Sequence, residues 1–147
     1  TLMADAFATP AFSLLQEGNT TEGYHGLSHH GQSPEKIQQL ETADRLHIVL
    51  LRRLLEALAQ RPEEGARLLD HTMVLMGSNL GDANTHNNTN LPILLAGGSF
   101  RHGQHLVFPH DDNAPLSNLF VSMLQALNLE TGGFGSSTGT LRGLEHI

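Results

Sequence analysis

Thr72-Met73-Val74-Leu75-Met76-Gly77 is the stretch on which the fold turns. It is a short, unbroken apolar run, without the alternation that marks a strand with one wet face. Such a run fits a strand covered on both faces, as in a parallel sheet. Pro92-Ile93-Leu94-Leu95-Ala96, closed by Gly97-Gly98, is a second run of the same kind. A long helical pattern precedes the first run, and a layered architecture follows from that order. The expected fold class is therefore α/β: a layered, mostly parallel sheet flanked by helices.

The helix upstream carries clear signals. Ser33 is a good N-cap, Pro34 suits the first helical position, and Glu35 favours the positive end of the dipole. Ile37, Leu40, Leu51, Leu54, Leu55 and Leu58 recur at spacings of three and four, with Ile48 and Leu50 between them. That spacing predicts one stripe facing a core. Arg61-Pro62 ends the pattern, which makes the helix about 40 Å long.

Outward from there the chain is less regular. Residues 1–17 form an apolar N-terminal segment that Pro10 divides into two short pieces. Residues 18–32 are rich in glycine and short polar side chains and should form a loop. Leu106-Val107-Phe108 fits a small edge strand. Asn113 is a candidate cap for a last helix, with Pro115 near its start and Leu116, Leu119, Phe120, Met123, Leu124 and Leu127 along one face. The Gly/Ser/Thr-rich tail from Thr131 should be a loop packed by Phe134, Leu141 and Leu144.

Composition narrows the function. At 147 residues, 1–147 reads as a single α/β domain or domain fragment, large enough to bury a core without disulfides. There is no cysteine, which excludes disulfide frameworks, thiolate zinc sites and cysteine nucleophiles. Eight Lys and Arg against fifteen Asp and Glu give a net charge of -7, which argues against nucleic acid as a partner. No apolar run reaches the ~20 residues of a membrane-spanning helix. Histidine is in excess at ten. It is the commonest metal ligand and the usual proton carrier near neutral pH.

Two clusters concentrate the chemistry. The first is Tyr24-His25-Gly26-Leu27-Ser28-His29-His30-Gly31. His25 and His29 are four apart, so on a helix they share a face and can grip one metal ion. Gly26 weakens a helix here, and a turn holding the same pair is equally open. His30 would point elsewhere, towards metal, substrate or a carboxylate. Ser28 is a hydrogen-bond donor and only a remote candidate nucleophile. The second cluster is Gly77-Ser78-Asn79-Leu80-Gly81-Asp82-Ala83-Asn84-Thr85-His86-Asn87-Asn88. Asp82 and His86 are again four apart, behind an expected strand end where α/β proteins bind ligands. A mixed nitrogen and oxygen set suits a divalent metal such as zinc, manganese or iron. The competing reading is an Asx-turn loop whose side chains bond their own backbone.

His25-Gly26-Leu27-Ser28-His29-His30 resembles the motif of the H-x-x-S-H-H family of bacterial, planctomycete-type proteins, whose activity is not established. The likeness continues through Gly31, Ser33-Pro34-Glu35-Lys36-Ile37, Gly81-Asp82-Ala83-Asn84-Thr85-His86, Leu91 to Gly98, Gly103-Gln104-His105-Leu106, Pro115 to Leu119 and Phe134-Gly135, over roughly residues 18–145. That family in turn resembles the alkaline phosphatase and sulfatase superfamily. The resemblance implies the C-terminal part of an alkaline-phosphatase-like fold and a metal-dependent hydrolase acting on phosphate or sulfate esters. It also implies an exported protein, periplasmic or extracellular. Metal ligands carried over are His25, His29, His30, Asp82 and His86. Family members are longer, and the superfamily's nucleophile belongs to a preceding half, so none is assigned here. Asn79 stands where related sequences often carry an acid.

The alternative is a non-catalytic module in which the same histidine loops hold a metal, a glycan-type or other small anionic ligand, or a protein. Self-association through exposed edges and apolar patches is a third expectation.

Overall fold

The computed structural model of the chain describes residues 10–14 and 18–145. Most of the expected N-terminal apolar segment, residues 1–9 and 15–17, lies outside the described residues. The chain divides into two compact parts. One runs to Leu54 and includes Asp82–Asn87; the other holds Leu55–Gly81 and the chain from Asn88 onward.

In the first part, α1 is a single short helix, Tyr24–Ser28, and α2 is a long one, Pro34–Gln60, which continues past Leu54. Residues 18–32 are thus not all loop. Polar contacts dock α1 on α2. The Tyr24 hydroxyl donates to Asp44 at 2.6 Å, and Lys36 pairs with Glu22 at 2.5 Å. The backbone N–H of Thr21 donates to Gln39 Oε1 at 2.8 Å. Burial, with Asp44 beside it, holds the Tyr24 phenol above its usual range. Between these contacts Leu27 is wholly buried, as is Ala43 on α2. A Cβ at Gly26 would meet the Glu22 carboxylate, which would have to swing aside.

α2 has its expected start and length, with Ser33 accepting weakly from the Lys36 N–H at 3.5 Å. Its burial differs from expectation. Among the described residues Ala43 is the one α2 position that is fully buried. Ile37, Ile48, Val49, Leu50 and Leu54 are exposed, Leu50 by 59%. The spacing is that of an amphipathic helix, but among the described residues no layer covers the stripe.

The second part corrects the expected fold class. β1 (Pro62–Glu63) and β2 (Ala66–Arg67) form a minimal antiparallel hairpin. Its two turn residues, Glu64 and Gly65, both have positive φ, as a tight primed turn demands. A 3₁₀ turn, Leu68–His71, leads to β3 (Val74–Gly77), which pairs with β4 (Ile93–Ala96). The pairing is antiparallel, with Val74 opposite Ala96 and Gly77 opposite Ile93. The two apolar runs are strands as expected. They make a two-stranded antiparallel ribbon, not a layered parallel sheet.

The reason lies in the connection. A parallel pair needs a crossover, usually a helix, to bring the chain back to the same end. Residues 78–92 contain no helix and are studded with Asn, Gly and Asp. The chain therefore returns along its neighbour. Both strand faces stay partly open, with Leu94 52% exposed.

Gly97 and Gly98 both have positive φ and fold the chain back on the 3₁₀ turn, where the Gly98 N–H donates to Leu69 at 3.0 Å. A Cβ at Gly97 would collide with the carbonyl oxygens of Thr72 and Leu69, so these glycines serve backbone packing. The expected edge strand at Leu106–Phe108 does not form, and Val107 is exposed.

α3 spans Leu116–Ala126, close to expectation, but Asn113 does not cap it. Asn113 instead accepts from the Asn90 N–H and donates to the Pro109 carbonyl, both at 2.8 Å. Leu119 and Val121 are buried on α3, together with Ser117, Asn118 and Ser122. These small polar groups bind the tail. Asn118 donates to Thr138 Oγ1 at 3.1 Å and accepts from the Thr138 N–H at 2.8 Å. Ser122 accepts from the Leu141 N–H at 3.0 Å. Phe134 lies edge-on to Phe120, with ring centres 5.8 Å apart. No helix among the described residues is long and apolar enough to cross a membrane.

Candidate metal centre

The first part gathers three histidines. His25 lies in α1 and His29 is its C-terminal cap, so one helical turn sets them on the same side. Their ring centres are 4.8 Å apart, edge to face. His86, from the loop 82–87, stands against His29 at the same distance and nearly at right angles. The Nε2 atoms of His29 and His86 are 3.3 Å apart, across a sequence gap of 57 residues.

The loop that delivers His86 is closed on itself. Asp82 and Asn87 exchange backbone hydrogen bonds, the Asp82 N–H to Asn87 at 3.2 Å and the Asn87 N–H to Asp82 at 2.9 Å. The Asp82 carboxylate accepts from the Asn84 N–H and from the Thr85 hydroxyl, each at 2.9 Å. The Thr85 hydroxyl bond, followed by partial desolvation acting against it, backbone N–H groups of Asn84 and Thr85, and charge on His30, leaves the carboxyl below its usual range. Both carboxylate oxygens are thus engaged in the loop, as an Asx-turn reading requires.

Within that loop His86 has φ +57°. A left-handed backbone costs a residue other than glycine about 1–2 kcal/mol. Strain of this kind persists only where the surroundings impose it, and it collects at functional sites. The surroundings here are the bridge between Asp82 and Asn87 and a tie to the turn after α1, where the Gly31 N–H donates to Asn84 Oδ1 at 2.9 Å.

The expected ligands therefore separate. His25, His29 and His86 come together. His30 turns to its own chain, where Nδ1 accepts from the Gln32 N–H at 3.1 Å. Asp82 shapes the loop. The Ser28 hydroxyl donates to the His25 carbonyl at 2.7 Å. Asn84 and Thr85, which the cluster reading does not single out, take up the Asp82 carboxylate. The Asp-x-Asn-Thr order fits such a self-capped loop and fits a ligand pair equally.

The remaining histidines among the described residues are elsewhere engaged or exposed. His47 packs by Tyr24 at 5.4 Å between ring centres, and His102 Nε2 lies 2.9 Å from the Gly97 carbonyl.

The pair can do specific chemistry. Two imidazole nitrogens each about 2.0–2.1 Å from a tetrahedral zinc stand about 3.3 Å apart, the separation seen here. Among the described residues no three His, Asp or Glu side chains already converge as a full metal cage. The assembled element is the His29–His86 pair with His25 at its edge. No protein-family model, curated protein or solved structure matched the chain, so the functional reading rests on the placement of these side chains.

Proposed function

We propose that the chain binds a divalent transition metal between Nε2 of His29 and Nε2 of His86, as the metal-bearing part of a hydrolase-like protein. The 3.3 Å separation of the two nitrogens carries the reading. His25, whose ring lies edge to face with that of His29, is the candidate third imidazole. Asp82 shapes the loop, and His30 holds the turn that follows α1. A nitrogen-only set with the carboxylate occupied favours zinc over manganese, which prefers oxygen ligands.

His25 and His86 are solvent-exposed. An exposed metal on two or three imidazoles keeps positions open for water or an anionic ligand, which is the pattern of a catalytic rather than a closed structural site. When bound, such an ion polarises an ester oxygen and lowers the pKa of its water. The ester chemistry, phosphate or sulfate, and the export of the protein rest on the H-x-x-S-H-H resemblance. The antiparallel ribbon removes the strand-end argument that tied the site to the superfamily's sheet.

Titration calorimetry with zinc tests the reading. The expected result is one site per chain, lost in both His29→Ala and His86→Ala. Zinc binding unchanged in either variant would contradict it.

A further inference from the structure

We infer that Asn84 is the positioning residue of this centre: its side-chain carbonyl, by accepting the Gly31 N–H, fixes His86 against His29. The inference rests on the metal-binding reading above and adds the group that sets the nitrogen separation.

Two features of loop 82–87 motivate it. Internally the loop is well closed, through the Asp82–Asn87 bridge and the Asp82 carboxylate. Those bonds fix the loop's shape and leave its position against α1 unset. Position comes from a bond that leaves the loop, and Asn84 Oδ1 makes one, at 2.9 Å to Gly31. The donor is well placed. Gly31 and Gln32 both have positive φ, so the turn after His30 is tightly wound and presents the Gly31 N–H outward from it. Gly31 is two residues from His29, and Asn84 is two residues from His86. This hydrogen bond therefore ties the two ligand-bearing segments beside the point where their rings meet. Groups that orient ligands without touching the metal typically change affinity by about 10–100-fold when removed.

The test uses Asn84→Ala and Asn84→Asp. Asn84→Asp keeps the acceptor oxygen. Zinc affinity should fall about tenfold or more in Asn84→Ala and return to within a few-fold in Asn84→Asp. Amide hydrogen exchange of Gly31 in the zinc-free chain provides a readout independent of metal. Its protection should be lost in Asn84→Ala, with the thermal midpoint little changed, and kept in Asn84→Asp. Unchanged zinc affinity in Asn84→Ala overturns the inference, and so does Gly31 protection that survives it. If the unaltered chain binds no zinc, the metal reading fails by itself, and Gly31 exchange still decides whether Asn84 positions the loop.

Discussion

Two polar regions of this chain are built on opposite terms. Around α3, Ser117, Asn118 and Ser122 are buried, and the tail bonds to them through Thr138 and Leu141. No group in those bonds titrates, and among the described residues no buried side-chain polar atom lacks a partner. Around α1, the histidines stand at the surface, and one of them is held in a left-handed backbone. The first region spends its hydrogen bonds on attaching a glycine-rich tail that has little apolar surface to bury. The second spends them on placing one imidazole opposite another. Buried, satisfied and unstrained polar groups indicate structure. Exposed and convergent ones are the place to look for a site.

The comparison can be broken most forcibly at the core beneath the histidines. Leu27 is 0% exposed and lies between His25 and His29 in sequence. Leu27→Ala should cost about 3 kcal/mol, as buried leucine truncations do, and should weaken zinc binding because α1 loses its anchor. Urea denaturation and zinc titration of the same variant check both. Wild-type stability would show that α1 is held by its polar contacts alone.

Asn118→Ala comes next. It removes an acceptor and a donor from the Thr138 pair at a position 7% exposed. Loss of a buried, doubly bonded amide should cost about 2 kcal/mol. The two regions share none of these partners, so zinc affinity should stay within about twofold. A large loss of zinc binding would show that the regions are not independent.

Acid sharpens the contrast, since the α3 region has no titrating group in its bonds. The Asp82 carboxyl is held below its unfolded value. Its contribution to the loop is therefore complete above the unfolded value of about 3.9 and is lost as pH falls through the lower folded one. Amide shifts of Asn84 and Thr85, followed by NMR, should move in that acid range. In Asp82→Asn that titration should disappear. Movement of these amides only at higher pH would assign the loop's stability to another group.

The smallest effect belongs to the strain itself. His86→Gly relieves the left-handed backbone but adds freedom to the unfolded chain. The net should be a gain of about 0.5 kcal/mol without metal, with stabilisation by zinc abolished. A loss of stability would mean that the imidazole contact with His29 outweighs the strain.

The local elements of this molecule are legible in its sequence, for identifiable reasons. The cap and Pro34 located α2, and the two apolar runs located β3 and β4, because those signals are local. The direction of strand pairing was not local. It was set by residues 78–92, whose lack of helical spacing ruled out a crossover, and the apolar runs alone could not express it. α2 taught the same lesson. Its stripe has helical period, but period says nothing of whether a partner layer exists, and Ile48 and Leu50 are exposed. At the site, the spacing of His25 and His29 was readable because one turn of helix brings such residues together. The partnership of His29 with His86 spans 57 positions, and no local pattern in either loop expresses it. The separation of roles between His86 and Asp82 was not readable, since the same Asp-x-Asn-x-His order serves a ligand pair and an Asx-turn.

X-ray absorption at the zinc edge of the zinc-loaded chain tests the central claim most directly. The account predicts at least two imidazole nitrogens at about 2.0–2.1 Å, with the imidazole signature lost in the His29→Ala/His86→Ala double variant. A shell of oxygen alone, or an imidazole count that survives the double variant, would contradict it.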